Sequence, residues 1–207
     1  MLDSYMARLP LIAILRGITP DEIVPVGRTL HEAGFRLIEI PLNSPEALVS
    51  IARLVCDLGS ECLIGAGTVL EVSQVEAVAK VGGRLVVSPN MNPAVIRATR
   101  AGGLVSAPGV ATPSEGFAAL EAGAHILKLF PAEQCSPAVV KAWRAVFPKD
   151  CSLVPVGGIT PENMAAYFDA GVAGFGLGSA LYKPGQDVNA VARNAAAYVA
   201  AWERLVS

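Results

Sequence analysis

Lys128 stands inside the apolar run Ile126-Leu127-Lys128-Leu129-Phe130-Pro131, whose composition otherwise reads as a buried strand. A buried ammonium costs several kcal/mol or more unless it is paired or gives up its proton. Desolvation lowers a lysine's pKa, by up to roughly 3–5 units in extreme cases. A neutral amine is a nucleophile, and its usual task is a Schiff base with a carbonyl compound. The competing reading is a lysine at a strand end that snorkels to water. Glu39 interrupts a second apolar run, Leu37-Ile38-Glu39-Ile40-Pro41. A carboxylate in an apolar strand can have a raised pKa, which suits two-way proton transfer. Arg16-Gly17 ends a third run, and Gly65-Ala66-Gly67-Thr68 ends a fourth. Each has a structural alternative: Arg16 could cap a strand end, Glu39 could pair with Arg16 or Lys128, and Thr68 could cap a helix before Glu71.

A second group of residues has the makings of an anion site. One strand runs into Val156-Gly157-Gly158-Ile159-Thr160-Pro161, and the last runs into Gly176-Leu177-Gly178-Ser179. Glycines let backbone N–H groups approach phosphate oxygens, and a following helix adds a favourable dipole. The alternative is that these glycines only serve tight turns. Gly65-Ala66-Gly67-Thr68-Val69-Leu70 is not a dinucleotide fingerprint, because Leu70 stands where the third glycine belongs. The chain has neither a phosphate-loop lysine motif nor a nucleophile elbow.

The elements that must position these residues repeat one pattern: a β-rich apolar run, a small or polar turn, then a helical stretch ending near glycine. The strands expected are Leu11–Arg16, Leu37–Leu42, Leu63–Val69, Leu85–Pro89, Leu104–Pro108, Ile126–Phe130, Leu153–Val156 and Gly174–Leu177. Helix starts are expected at Thr19-Pro20-Asp21-Glu22, Thr112-Pro113-Ser114-Glu115 and Thr160-Pro161-Glu162-Asn163, with a shorter version at Ser44-Pro45-Glu46. Helix ends are expected at Ala33-Gly34, Ala101-Gly102, Ala122-Gly123 and Ala170-Gly171. The alanine-rich stretch Val188 to Val206 reads as a last covering helix.

A βα unit repeated about eight times, with no linker, predicts one α/β domain over residues 1–207, a closed (β/α)8 barrel at the short end for that fold. A doubly wound open sheet is the alternative. In such a barrel the C-terminal ends of the strands carry the chemistry. Arg16, Glu39, Thr68 and Lys128 would then converge on one rim, as a reaction centre of cation, carboxylate, hydroxyl and desolvated amine.

Composition narrows the function classes. The chain has 207 residues, 53% of them apolar, and a formal net charge of −2. No basic stripe is present, which speaks against nucleic acid as a partner. Cys56, Cys62, Cys135 and Cys151 form no CxxC pair, and only His31 and His125 could join them, so no metal site is expected. Free buried thiols in a reducing cytosol are the default expectation. The segment Met1 to Pro10 lacks the apolar core of a secretory signal, and no run approaches the roughly 20 apolar residues of a spanning helix. A cytoplasmic protein with no membrane partner is expected.

Six segments occur together and in order: Pro10-Leu11-Ile12-Ala13-Ile14-Leu15-Arg16-Gly17, Ile38-Glu39-Ile40, Ile64-Gly65-Ala66-Gly67-Thr68-Val69, Lys128-Leu129-Phe130-Pro131-Ala132, Gly157-Gly158-Ile159 and Gly178-Ser179. In that arrangement the chain resembles, end to end, the 2-keto-3-deoxy-6-phosphogluconate (KDPG) aldolase family, class I aldolases of sugar-acid breakdown. The resemblance implies a Schiff base on Lys128 and Glu39 as the general acid/base. It implies that Arg16 and Thr68 hold the substrate carboxylate, and that Gly157, Gly158, Gly178 and Ser179 hold its phosphate. It also implies a homotrimer that needs no metal or other cofactor and takes a small phosphorylated keto sugar acid.

Two features resemble the branch acting on 2-dehydro-3-deoxy-6-phosphogalactonate. Ile40-Pro41-Leu42-Asn43-Ser44-Pro45 follows Glu39 where the gluconate enzymes typically read Thr-Leu-Arg-Thr, and Val156 precedes Gly157-Gly158 where they typically carry Thr. The gluconate epimer, or both epimers, remains the alternative substrate. A phosphosugar isomerase or epimerase on the same fold, or a silent phosphosugar-binding protein, would place only an electrostatic or binding role on Lys128.

Overall fold

The structure is a computed structural model and describes residues 2–207. Nine strands lie in two parallel sheets. The larger holds β1 (Leu11–Ile14), β2 (Leu37–Pro41), β3 (Leu63–Gly67), β4 (Leu85–Val87), β5 (Val105–Ala107) and β9 (Phe175–Leu177). Its order is β5-β4-β3-β2-β1-β9. The smaller holds β6 (Gly109–Val110), β7 (Ile126–Leu129) and β8 (Ser152–Pro155), in that order. The sequence had suggested eight strands in one closed sheet. The fifth run breaks at Pro108, which has no N–H to extend the ladder with β4. Beyond it the chain resumes as β6 and pairs with β7 instead. At the other margin a parallel bridge joins Val156 to Gly176. What is observed is a curled α/β arrangement of six and three strands.

Helices follow the strands and cover their outer face: α2 (Ile23–Glu32), α3 (Ala47–Leu58), α4 (Val72–Lys80), α5 (Pro93–Ala101), α6 (Pro113–Glu121), α7 (Pro137–Arg144), α8 (Met164–Asp169) and α9 (Val188–Val206). The last has the bounds its alanine-rich pattern suggested. The expected start at Thr112 is present as a capping box, with Pro113 in the first turn. Two other starts are displaced. At Thr19 and Thr160 the chain first makes a tight turn, and the residue three positions on reaches back. Thr19 donates through its N–H to Glu22 Oε2, and Thr160 donates through its N–H to Asn163 Oδ1. The regular helices therefore begin at Ile23 and Met164. Gly34, Gly123 and Gly171 have the expected positive φ, but Gly102 does not, and Gly103 at φ +72° makes the turn instead.

A short helix α1 (Leu2–Arg8) precedes the first strand and had no signal in the sequence reading. Its Leu2 joins Leu37, Leu63, Leu85 and Ile126, residues at the starts of four strands, with Tyr5 and Met6 packed alongside. That cluster fills the inner face of the curled strands, while a larger one lies between strands and helices. Side chains alternate between the two faces. Leu37 is inside and Ile38 and Ile40 outside, so Glu39 takes the inner face of β2. Ile126 is inside and Leu127 and Leu129 outside, so Lys128 takes the inner face of β7.

Candidate active site

Strand parity thus turns two ionisable side chains into an apolar interior. Glu39 is 2% exposed and Lys128 is 6% exposed. Burial pushes the Glu39 carboxyl up to about 7, against the opposing pull of the Lys128 and Arg16 charges. Burial pushes the Lys128 amine down, while Glu39 holds it up and Arg16 adds to the depression. The two groups move towards each other, which is the condition for exchanging protons near neutrality. Glu39 Oε2 is buried without a hydrogen-bond partner among the described residues. The snorkelling alternative for Lys128 does not describe this structure, because the side chain is not in bulk water. Its Nζ lies over the Phe130 ring, 4.7 Å from the centroid.

A cavity of about 740 Å³ opens where β1, β7, β8 and β9 end. Of the candidates named from sequence, Arg16, Lys128, Val156, Gly157, Gly158, Gly178 and Ser179 line it. Glu39 and Thr68 do not line it. Glu39 lies against the α-carbon of Gly67, and Thr68 follows with φ at 56°. A left-handed β-branched residue is a strained one, and such strain collects at functional sites. Thr68 is not the cap of the next helix; that position is taken by Glu71, whose side chain closes a capping box with Gln74.

Arg16 is exposed and its Nη1 donates to Asn43 Oδ1 at 2.7 Å. The next amide, Gly17 N–H, donates to Ser44 Oγ at 2.9 Å. Asn43 and Ser44, in the loop after β2, therefore fasten the loop after β1 and aim its cation. In the glycine loops φ is +110° at Gly157 and +61° at Gly158, conformations a side chain would resist. Among the described residues, the amides of Gly158 and Ser179 donate to no protein acceptor, so they remain available to an anion.

The wall residues that sequence reasoning missed include Phe130, Tyr182 and Lys183. Phe130 was passed over as strand hydrophobe, though it stands two places after Lys128 and so shares its face. Lys183 had a positional signal, a cation in a Gly- and Pro-bounded loop just past Gly178-Ser179. The free cysteines are as expected except Cys56, which is exposed because it falls on the outer side of α3. No group of three or more His, Cys, Asp or Glu side chains among the described residues could hold a metal. No helix among them is long and apolar enough to cross a membrane.

Residues 2–194 match the family model for KDPG and KHG aldolase. The chain belongs to that family. KDPG/KHG aldolases similar to it include the 2-dehydro-3-deoxy-6-phosphogalactonate aldolase of Escherichia coli (strain K12), 50% identical over 98% of this chain and 99% of the relative. A solved structure described as native KDPGal superposes with a TM-score of 0.95 and 51% identity, covering 96% of this chain and 97% of that one. A KDPG aldolase of Legionella pneumophila, solved with pyruvate captured at low pH as a covalent carbinolamine, has a TM-score of 0.82 and 26% identity. That match covers 99% of this chain and 98% of the other.

Proposed function

We propose that this protein is a class I aldolase that cleaves 2-dehydro-3-deoxy-6-phosphogalactonate to pyruvate and glyceraldehyde 3-phosphate. The observation that carries the reading is the pair Lys128 and Glu39, both buried on the inner face, with burial driving their pKa values together. The Lys128 amine attacks the C2 ketone of the keto acid. Loss of water gives a protonated imine, an electron sink. Glu39 relays the protons of that dehydration and takes the C4 hydroxyl proton. The C3–C4 bond breaks, its electrons pass into the imine as an enamine, and glyceraldehyde 3-phosphate leaves. Glu39 then returns a proton to C3, and water releases pyruvate. The carbinolamine trapped in the Legionella relative is the species this route passes through first.

The Arg16 guanidinium grips the substrate carboxylate as a fork of donors, and Thr68 donates to the same end of the substrate. The open amides of Gly158 and Ser179, with the glycine turns at Gly157 and Gly178, receive the phosphate. Val156 is 7% exposed and lines the cavity next to the glycine pair. It cannot donate to a C4 hydroxyl, which supports the galactonate epimer over the gluconate one. The 50% identity to a galactonate aldolase supports the same choice.

The Val156–Gly176 bridge and the continuity of β5 into β6 through Pro108 support a closed (β/α)8 barrel, in one domain over residues 1–207. We further propose a cytoplasmic homotrimer. Exposed Val49, Leu70 and Val72 supply apolar surface for a second copy, and free cysteines suit a reducing compartment.

The test is a coupled assay of the purified chain on both C4 epimers. The galactonate compound should give the higher kcat/KM. Turnover of the gluconate compound alone would reverse the substrate choice, and turnover of neither would remove the aldolase reading.

A further inference from the structure

We propose that the face of Phe130 stabilises the cationic nitrogen of Lys128, and above all the protonated imine it forms. The inference rests on the Schiff-base reading of Lys128 and adds a residue to it. Phe130 follows β7 two places after Lys128, so strand alternation sends both side chains the same way. Its N–H donates to Val110 O at 3.2 Å, which holds its backbone in line with the β6–β7 ladder. The ring packs against the inner apolar cluster and forms part of the cavity wall. Its centroid is 4.7 Å from Nζ.

An aromatic face carries negative electrostatic potential and attracts a cation within about 6 Å, more strongly where water is excluded. A neutral amine or enamine gains little from it. The nitrogen is neutral in the free nucleophile, positive in the imine, and neutral again in the enamine. The ring therefore acts selectively on the state that draws electrons out of the C3–C4 bond. It opposes burial, which disfavours any charge on this nitrogen. Glu39 also favours the charged form and Arg16 opposes it, but Glu39 itself loses its charge below about pH 7. The ring does not titrate, so its contribution persists while Glu39 cycles between acid and base.

Replacing Phe130 with 4-fluoro-, 3,5-difluoro- and 3,4,5-trifluorophenylalanine drains the ring face stepwise with little change of shape. The fraction of Lys128 trapped by borohydride is measured against pyruvate concentration in each variant. The apparent dissociation constant of the pyruvate adduct should rise with each fluorine, reaching about tenfold for the trifluoro ring. The pH dependence of Lys128 acylation by a small reagent, read on the free enzyme, should move to lower pH in the same order. A flat series in both readouts overturns the inference. Absence of a pyruvate adduct in the unmodified protein overturns the Schiff-base reading instead, and the acylation series then decides the role of the ring by itself.

Discussion

The Glu39 carboxylate lies against the α-carbon of Gly67 on the neighbouring strand, where a β-carbon would overlap the carboxyl group itself. In the register of β2 and β3, Glu39 is opposite Gly65 and Pro41 is opposite Gly67. Glu39 and Gly67 are therefore diagonal neighbours on the inner face. A glycine inside a strand weakens it, and here the missing side chain is the space in which the acid rests.

That relationship predicts the effect of Gly67→Ala. The added methyl group displaces the carboxylate, and a displacement of about 1 Å at a reacting group costs on the order of a hundredfold in rate. We expect kcat to fall about a hundredfold or more while the far-UV circular dichroism spectrum is kept. Activity within twofold of the parent would show that Glu39 does not need this seat.

Glu39 also sets a pH dependence of stability. Its carboxyl ordinarily titrates near 4.5 and is raised to about 7 by burial. The folded state holds this proton more tightly than the unfolded state does. Its contribution is complete below pH 4.5 and is lost as pH rises through 7. The difference is on the order of 3 kcal/mol. Glu39→Gln carries no charge to bury. Its Tm should match the parent near pH 4 and exceed it by roughly 5 °C or more at pH 8, while turnover is severely reduced. Thermal scans across that range check the prediction, and a Tm difference independent of pH would contradict it.

Val156 borders the cavity beside Gly157 and Gly158. Val156→Thr adds one hydroxyl where the gluconate enzymes typically carry one. A neutral hydrogen bond is worth about 0.5–1.5 kcal/mol, or roughly 2- to 12-fold. The ratio of kcat/KM for gluconate-type over galactonate-type substrate should rise by about that factor. An unchanged ratio would locate the selectivity elsewhere.

Asn43 offers Arg16 a neutral acceptor at 2.7 Å, which aims the guanidinium and leaves its charge free. Asn43→Asp would place a carboxylate there, and the resulting ion pair would compete with the substrate carboxylate. KM should rise about tenfold or more with kcat little altered, and Asn43→Ala should be milder. Equal effects of the two substitutions would mean that charge on Arg16 is not what Asn43 protects.

The parts of this molecule most legible in the sequence were those set by period and by contradiction. Lys128 and Glu39 stood out because an ion in an apolar strand contradicts its surroundings, and both are indeed buried. The arginine, valine and glycine candidates lie together on one cavity because strand-end loops share one side of the sheet. What stayed illegible depended on neighbours distant in sequence. Nothing local distinguishes Phe130 from any strand hydrophobe until Lys128 is seen beneath its ring. Pro108 looked like the end of a strand, and only the pairing of β6 with β7 shows that the chain resumes as a new strand just past it. The helix α1 is seven residues long and rests on the inner cluster, so its stability comes from packing rather than from its own pattern.

The central claim is that Lys128 forms an imine with a keto acid. The most direct measurement is borohydride reduction of the protein with pyruvate, followed by peptide mass spectrometry. We predict one irreversible pyruvate-derived mass gain on the peptide carrying Lys128, and none after Lys128→Ala. No adduct on the unmodified chain, or an adduct that persists on another lysine with full turnover in Lys128→Ala, would contradict the account.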